Sequence, residues 1–231
     1  MNSKKKLEPA LRPLVVATAH TARGLSDASK LRLGAVDFVE IRLDCLLASR
    51  RAIAPAASRI RGPILLTARH PVEGGAGNLS STARRSLYQE FLPLASAVDV
   101  ELRSVGPMQP VLASAAEHGT LSVISFHDFR GTPGLVRLRE VVGAARRSGA
   151  DFVKIATMLR GPKDLAVLLQ LQSLYPSIAL ATMGMGPLGR VSRLALAAAG
   201  SRLNYGYLDR PQVSGQWPAV QLRERLDEVM S

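Results

Sequence analysis

Lys154 stands in the middle of "DFVKIATM" (residues 151–158), where Phe152, Val153, Ile155 and Met158 are apolar and the run reads as a buried strand. An ammonium group inside a buried strand needs a charged partner, a displaced pKa or a chemical task. Two readings follow. Lys154 is a core lysine paired with Glu40 or Glu101, or it is a nucleophilic amine whose pKa is lowered by burial and by cations such as Arg42 or Arg69. A neutral amine attacks a ketone to form a Schiff base, and the protonated imine makes a neighbouring C–H acidic. Usage favours the second reading. Of 30 basic residues only six are lysine, and three of those are Lys4, Lys5 and Lys6 near the N-terminus. A chain that takes arginine for general positive charge has a chemical reason to keep a lysine in a strand.

His127, in "SFHDF", ends the strand before that of Lys154. A lone histidine is commonly structural; at this place it can also move a proton to or from a substrate carbon near neutral pH. Glu40 is the candidate to orient it, because it should project into the same interior. Arg42, Arg69 and Arg193 are the anion-binding candidates. Arg193 lies in "GMGPLGRVSRLAL", early in a helix, where a helix N-terminus plus a guanidinium suits a carboxylate or phosphate; ordinary helix-surface charge is the plainer alternative. Two connections have lid-like composition, the glycine-rich "EGGAGN" (73–78) and the polar "DRPQVSGQW" (209–217). No Cys/His or carboxylate cluster has metal-ligand spacing, so neither a metal nor another cofactor is expected.

Positioning these residues takes a regular scaffold. Strand-like runs recur at 14–19, 38–44, 64–69, 97–103, 121–128, 152–158, 178–185 and 202–208. Helical patterns fill the gaps at 26–35, 46–60, 80–96, 107–118, 134–148, 163–174 and 189–199, with a last one at 218–230. Eight strand–helix alternations in this length predict a (β/α)8 barrel as a single domain over 14–231, behind a solvated basic tail at 1–13. An open doubly wound sheet is the alternative, but no glycine-rich dinucleotide fingerprint follows the first strand. In a barrel the chemistry sits at the C-terminal strand ends. The period-2 sets Glu40–Arg42–Asp44, Thr67–Arg69, Glu101–Arg103, Ser125–His127 and Met183–Met185 fall there.

The net charge of +12 would suit nucleic acid, membrane phosphate or an anionic substrate. The basic residues are dispersed, and 4% aromatic content is too little for a base-stacking platform. Neither nucleic acid nor membrane is therefore an expected partner, and no apolar run reaches transmembrane length. The single cysteine, Cys45, excludes a disulfide framework and fits a cytoplasmic protein.

Taken in order, "VEIRLD", "LLTARHPVEGG", "DVELRS", "VISFHDFRGTP", "DFVKIATM", "ATMGMGPLGRVSR" and "SGQ" resemble the type I 3-dehydroquinate dehydratases, Schiff-base enzymes of the shikimate pathway. The likeness runs from about residue 14 to 216. It implies a (β/α)8 fold and syn elimination of water from 3-dehydroquinate to give 3-dehydroshikimate. By the resemblance Lys154 is the Schiff-base lysine, His127 the general acid/base and Glu40 the acid that orients it. Thr18, Arg42, Arg69, Met183, Met185, Arg193, Gln212 and Gln216 match substrate-pocket and lid positions. Arg193 would grip the substrate carboxylate. The family is often dimeric, which makes a homodimer a further expectation. The lid departs from the family's usual S-A-P-G-Q: Gln212 replaces a hydroxyl-bearing residue and Ser214 a proline. Another Schiff-base barrel of the aldolase kind, and a non-catalytic barrel that binds nucleic acid, are the competing readings.

Overall fold

The computed structural model describes residues 12–230. Eight strands alternate with eight α-helices: β1 Leu14–Ala19, α1 Ala22–Ala28, β2 Phe38–Arg42, α2 Arg50–Ala57, β3 Ile64–Thr67, α3 Ser81–Phe91, β4 Ala97–Glu101, α4 Gln109–Glu117, β5 Leu121–Asp128, α5 Leu135–Arg147, β6 Phe152–Met158, α6 Pro162–Ser173, β7 Leu180–Met185, α7 Gly189–Ala198, β8 Leu203–Tyr207 and α8 Ala219–Met230. All neighbouring strands pair in parallel in the order β7-β6-β5-β4-β3-β2-β1-β8. At the base, the Arg202 N–H donates to the Leu180 carbonyl and so joins the foot of β8 to β7. The architecture is a nearly closed (β/α)8 barrel, as the strand–helix alternation predicts.

Strand alternation divides the side chains into two sets. Val39, Ile41, Leu66, Val98, Val100, Ile124, Val153 and Ile155 point outward and pack with helix residues such as Leu87, Val111, Leu138 and Leu168 into the main core. Burying each such side chain contributes roughly 1.5–3 kcal/mol. The inward set begins with an apolar plug of Val16, Phe38, Leu65, Ala97, Val123, Phe152, Ala181 and Leu203. One or two pleats further along the same strands come Thr18, Glu40, Thr67, Asp99, Ser125, Lys154, Met183 and Tyr205, all buried. The barrel thus changes from dry to polar toward the C-terminal strand ends.

Element boundaries shift where local hydrogen bonds compete with periodicity. The first helix spans 22–28, not 26–35, because the Thr21 hydroxyl accepts from the Gly24 N–H at 2.9 Å and starts it early. The chain after Ala28 then turns through Gly34, whose φ is +83°. Strands 2, 3 and 4 stop two residues short of their sequence runs. After β2 the chain turns, with the Cys45 N–H donating to the Arg42 carbonyl, and after β4 Leu102–Ser104 forms a 3-10 turn. Of the proposed tail, residues 1–11 lie outside the described residues. Arg12 and Pro13 are held: Arg12 pairs with Asp37 at 2.5 Å, and the Pro13 carbonyl accepts from Arg223 at 2.9 Å.

Candidate active site

A cavity of about 500 Å³ opens at the C-terminal strand ends, walled by residues of β1, β2, β5, β6, β7 and β8 and by the connections after β3 and β8. Lys154 forms its floor. Its Nζ donates to Asp99 Oδ2 at 2.9 Å and lies 3.8 Å from the centre of the Tyr205 ring. The charge partner is therefore Asp99, not Glu40 or Glu101. Asp99 sits two residues before Glu101 on the same strand face, one pleat deeper. It is held by both terminal nitrogens of Arg69, at 2.9 and 2.8 Å, and by the Ser125 hydroxyl at 2.6 Å. Burial lowers the Lys154 pKa and outweighs Asp99 and Glu40, which raise it; Arg69 adds to the lowering.

His127 is oriented by Glu73, and this corrects the expectation for Glu40. Glu73 Oε2 accepts from the His127 backbone N–H at 3.0 Å and meets its Nδ1 at 2.9 Å. Glu40 instead accepts from the Thr18 and Thr67 hydroxyls, both at 2.8 Å. The reason is position around the barrel. Glu40 on β2 is flanked by β1 and β3, which supply those two hydroxyls, whereas His127 stands on β5. Glu73 reaches His127 from a 3-10 turn, Pro71–Glu73, that Gly74 closes with φ +81°. Burial raises the Glu73 carboxyl to about 7 against the opposing pull of Arg69. Burial, with Arg69 and Lys154 nearby, lowers His127 well below its ordinary value. The imidazole is thus neutral near pH 7.

The glycine-rich segment 73–78 is a wall and not a lid. Besides the Glu73 bonds, the Gly74 carbonyl accepts from Arg42 at 3.2 Å and the Ala76 N–H donates to Asp44 at 2.9 Å. Arg42 itself forms a two-point pair with Asp44 at 3.0 and 2.8 Å. Its burial alone would lower its pKa, but Asp44 holds it above the ordinary range.

The connection after β8 covers the cavity. Gln212 Oε1 accepts from Arg42 Nη1 at 2.8 Å, and Gln216 Oε1 accepts from the Gln212 and Val213 backbone N–H groups at 2.7 and 3.4 Å. Gln212 therefore latches the loop to the wall, while Gln216 braces the turn from within. Gly215, at φ +81°, lets the loop press on α7, since a Cβ there would collide with the Gly186 carbonyl. Arg193 ties the two together. Its Nε and Nη1 donate to the carbonyls of Tyr205, Gly184, Gly189 and Gly215 at 2.6–3.1 Å. It is not surface charge: it is 1% exposed. Burial brings its pKa down to about 10, so it stays cationic, and among the described residues no carboxylate pairs with it. Met183 and Met185, on β7 either side of Gly184, also line the cavity.

The cavity thus gathers Thr18, Glu40, Arg42, Arg69, His127, Lys154, Met183, Met185, Arg193, Gln212 and Gln216. Residues that sequence reasoning did not single out for the site are Glu73, Asp99, Tyr205 and His20. Asp99 carries a legible signal in its period-2 spacing from Glu101. His20 lines the mouth with a buried Nδ1 that has no partner.

Comparison with known proteins agrees with this geometry. The family model described as type I 3-dehydroquinase matches residues 13–230. A 3-dehydroquinate dehydratase of Methanocella arvoryzae is 31% identical over 215 residues, covering 93% of this chain and 95% of its own. Among solved structures, a type I 3-dehydroquinate dehydratase of Clostridium difficile with covalently modified comenic acid superposes with a TM-score of 0.84 at 25% identity, covering 94% and 92% of the two chains. The 3-dehydroquinate dehydratase of Geobacillus kaustophilus gives 0.82 at 28% identity, covering 95% and 91%. With nearly its whole length matched, the chain belongs to the type I 3-dehydroquinase family.

Proposed function

We propose that the protein dehydrates 3-dehydroquinate to 3-dehydroshikimate by syn elimination through a Schiff base on Lys154. The observation that carries this reading is a buried amine of lowered pKa at the floor of a cavity that also holds a neutral, carboxylate-oriented histidine. Neutral Lys154 attacks the substrate ketone. With one proton taken up, water leaves and a protonated imine remains. The imine withdraws electrons and acidifies the adjacent carbon, from which His127 removes a proton. The hydroxyl one carbon further departs as water, taking that proton back, and hydrolysis of the imine frees the product. One base on one face serving both transfers makes the elimination syn.

The remaining side chains bind and orient. Glu40, fixed by two threonine hydroxyls, and Arg42, fixed by Asp44, present fixed groups to the substrate hydroxyls. Arg69 acts through Asp99 and Glu101, because both its terminal nitrogens are engaged there or nearby. Arg193 offers Nη2 and an unneutralised charge to the carboxylate. The lid of Gln212 and Gln216 excludes water from the imine. The reading needs no cofactor and no nucleic acid. A cytoplasmic setting fits the lone thiol, and sedimentation distinguishes a monomer from the homodimer typical of the family.

Incubation with 3-dehydroquinate and borohydride should add one reduced ligand to the intact mass, at Lys154. A protein that turns substrate over without any borohydride-stable adduct would overturn the mechanism. Arg193→Ala should raise KM and also lower Tm, because four carbonyls lose their donor. Arg193→Lys should recover part of KM and little of the Tm, since one ammonium cannot span the donors of a guanidinium. Steady-state kinetics beside thermal unfolding checks both effects.

A further inference from the structure

The chain has four tyrosines, and one of them lies against its buried lysine. Tyr205, on β8, is 3% exposed, and its ring centre is 3.8 Å from Lys154 Nζ. The Tyr205 hydroxyl is buried without a hydrogen-bond partner. No polar bond of that hydroxyl therefore explains why the ring is where it is. What the residue directs at the site is its aromatic face.

We propose that the Tyr205 ring is a positioning residue that holds positive charge on the Lys154 nitrogen, first as the ammonium and then as the protonated imine. The proposal rests on the Schiff-base reading above and deepens it. An aromatic face attracts a desolvated cation placed over it. The other groups around the nitrogen cannot do this alone through the whole reaction. Asp99 on β4 bonds it at 2.9 Å but shares the same oxygen with Arg69 of β3. Glu40 on β2 favours the cation at longer range, while Arg69 opposes it, as does His127 of β5 whenever it is protonated. Thr18 on β1 and Met183 on β7 are neutral.

Condensation sharpens the contrast. An ammonium has three N–H bonds. When the amine joins the ketone carbon, a proton is taken up and water leaves; the protonated imine then keeps a single N–H. Hydrogen bonding to Asp99 falls to at most that one donor. A π face needs no N–H, so the ring acts equally on both species.

The test reads the titration of Lys154 itself, through the pH dependence of its acetylation by dilute acetic anhydride, followed by peptide mass. Tyr205→Leu removes the face and should lower the Lys154 pKa by about one unit, a tenfold shift in the protonation equilibrium. Tyr205→Phe restores the face and should restore the titration. Should the leucine variant not fold, phenylalanines of increasing fluorination at position 205 keep the volume and weaken the face, and should lower the pKa stepwise. A ring with a merely structural role would change Tm and rate with the titration unmoved in leucine and fluorinated variants alike, and that result overturns the proposal. Absence of a borohydride adduct in the unsubstituted protein would instead overturn the Schiff-base reading, whatever Tyr205 does to the titration.

Discussion

Lys154→Ala is expected to give a folded barrel with no borohydride-stable adduct and a loss on the order of 10⁶ in kcat, the scale seen when a covalent nucleophile is removed. Without the amine no imine forms, and the carbon that His127 faces keeps the acidity of an ordinary ketone neighbour. The fold should survive for an identifiable reason. Asp99 loses one of its cations but keeps both Arg69 bonds and the Ser125 hydroxyl. Breaking a buried pair is costly when it leaves a charge uncompensated, and here it does not. Lys154→Arg should be as inactive as the alanine variant, because a guanidinium stays protonated and cannot attack a carbonyl. Lys154→Met, close in volume, separates packing from chemistry. Its Tm should match or exceed that of the unsubstituted protein, since a buried ammonium has been replaced by an apolar group. Turnover and intact mass, measured on all three variants, check the prediction. A rate near that of the unsubstituted protein in any of them would place the chemistry elsewhere.

The sequence carried the scaffold and the two central residues because both depend on period. A strand shows itself by alternation, and an ionisable residue that keeps the inward phase stands out, as Lys154 does between Phe152 and Ala156 on the barrel's inner face. His127 follows by the same rule from Val123 and Ser125. What alternation does not encode is height and angle around the barrel. Glu40, Asp99 and Glu101 are all inward acids, and only the register shows that Glu40 lies between two threonines while Asp99 faces Lys154. Glu73 carries no periodic signal at all. It reaches the site through a chain reversal at Gly74, and glycine-rich composition reads as mobility when the segment is in fact pinned by Arg42, Asp44 and His127. Arg193 was legible as a candidate anion anchor from its helix-start position. Its four backbone carbonyl partners come from β7, β8, α7 and the lid, which no local pattern brings together.

His127→Ala should cost on the order of 10²–10⁴ in rate, and its partners should divide that loss in a defined order. Glu73 Oε2 meets Nδ1 and also accepts the His127 backbone N–H. The oxygen is therefore anchored by a donor that cannot change. With Nδ1 protonated toward Glu73, the lone pair sits on Nε2, the form a general base requires. Glu73→Gln should keep this tautomer, because turning the amide would place its NH2 against a backbone N–H. The loss should be small. Glu73→Ala frees the ring and should lose most of what His127→Ala loses. Glu40→Gln should act on KM more than on proton transfer, since Glu40 does not touch the imidazole. The pH response follows from the direction of the shift. Burial and the nearby cations keep His127 neutral to well below the usual imidazole range, so base function should persist below pH 6.5. Proton transfer can be read apart from turnover, through exchange of the acidified substrate hydrogen with deuterated solvent. In His127→Ala the Lys154 adduct should still be trapped, more slowly, while that exchange collapses. Exchange at an undiminished rate in this variant would move the base to another group.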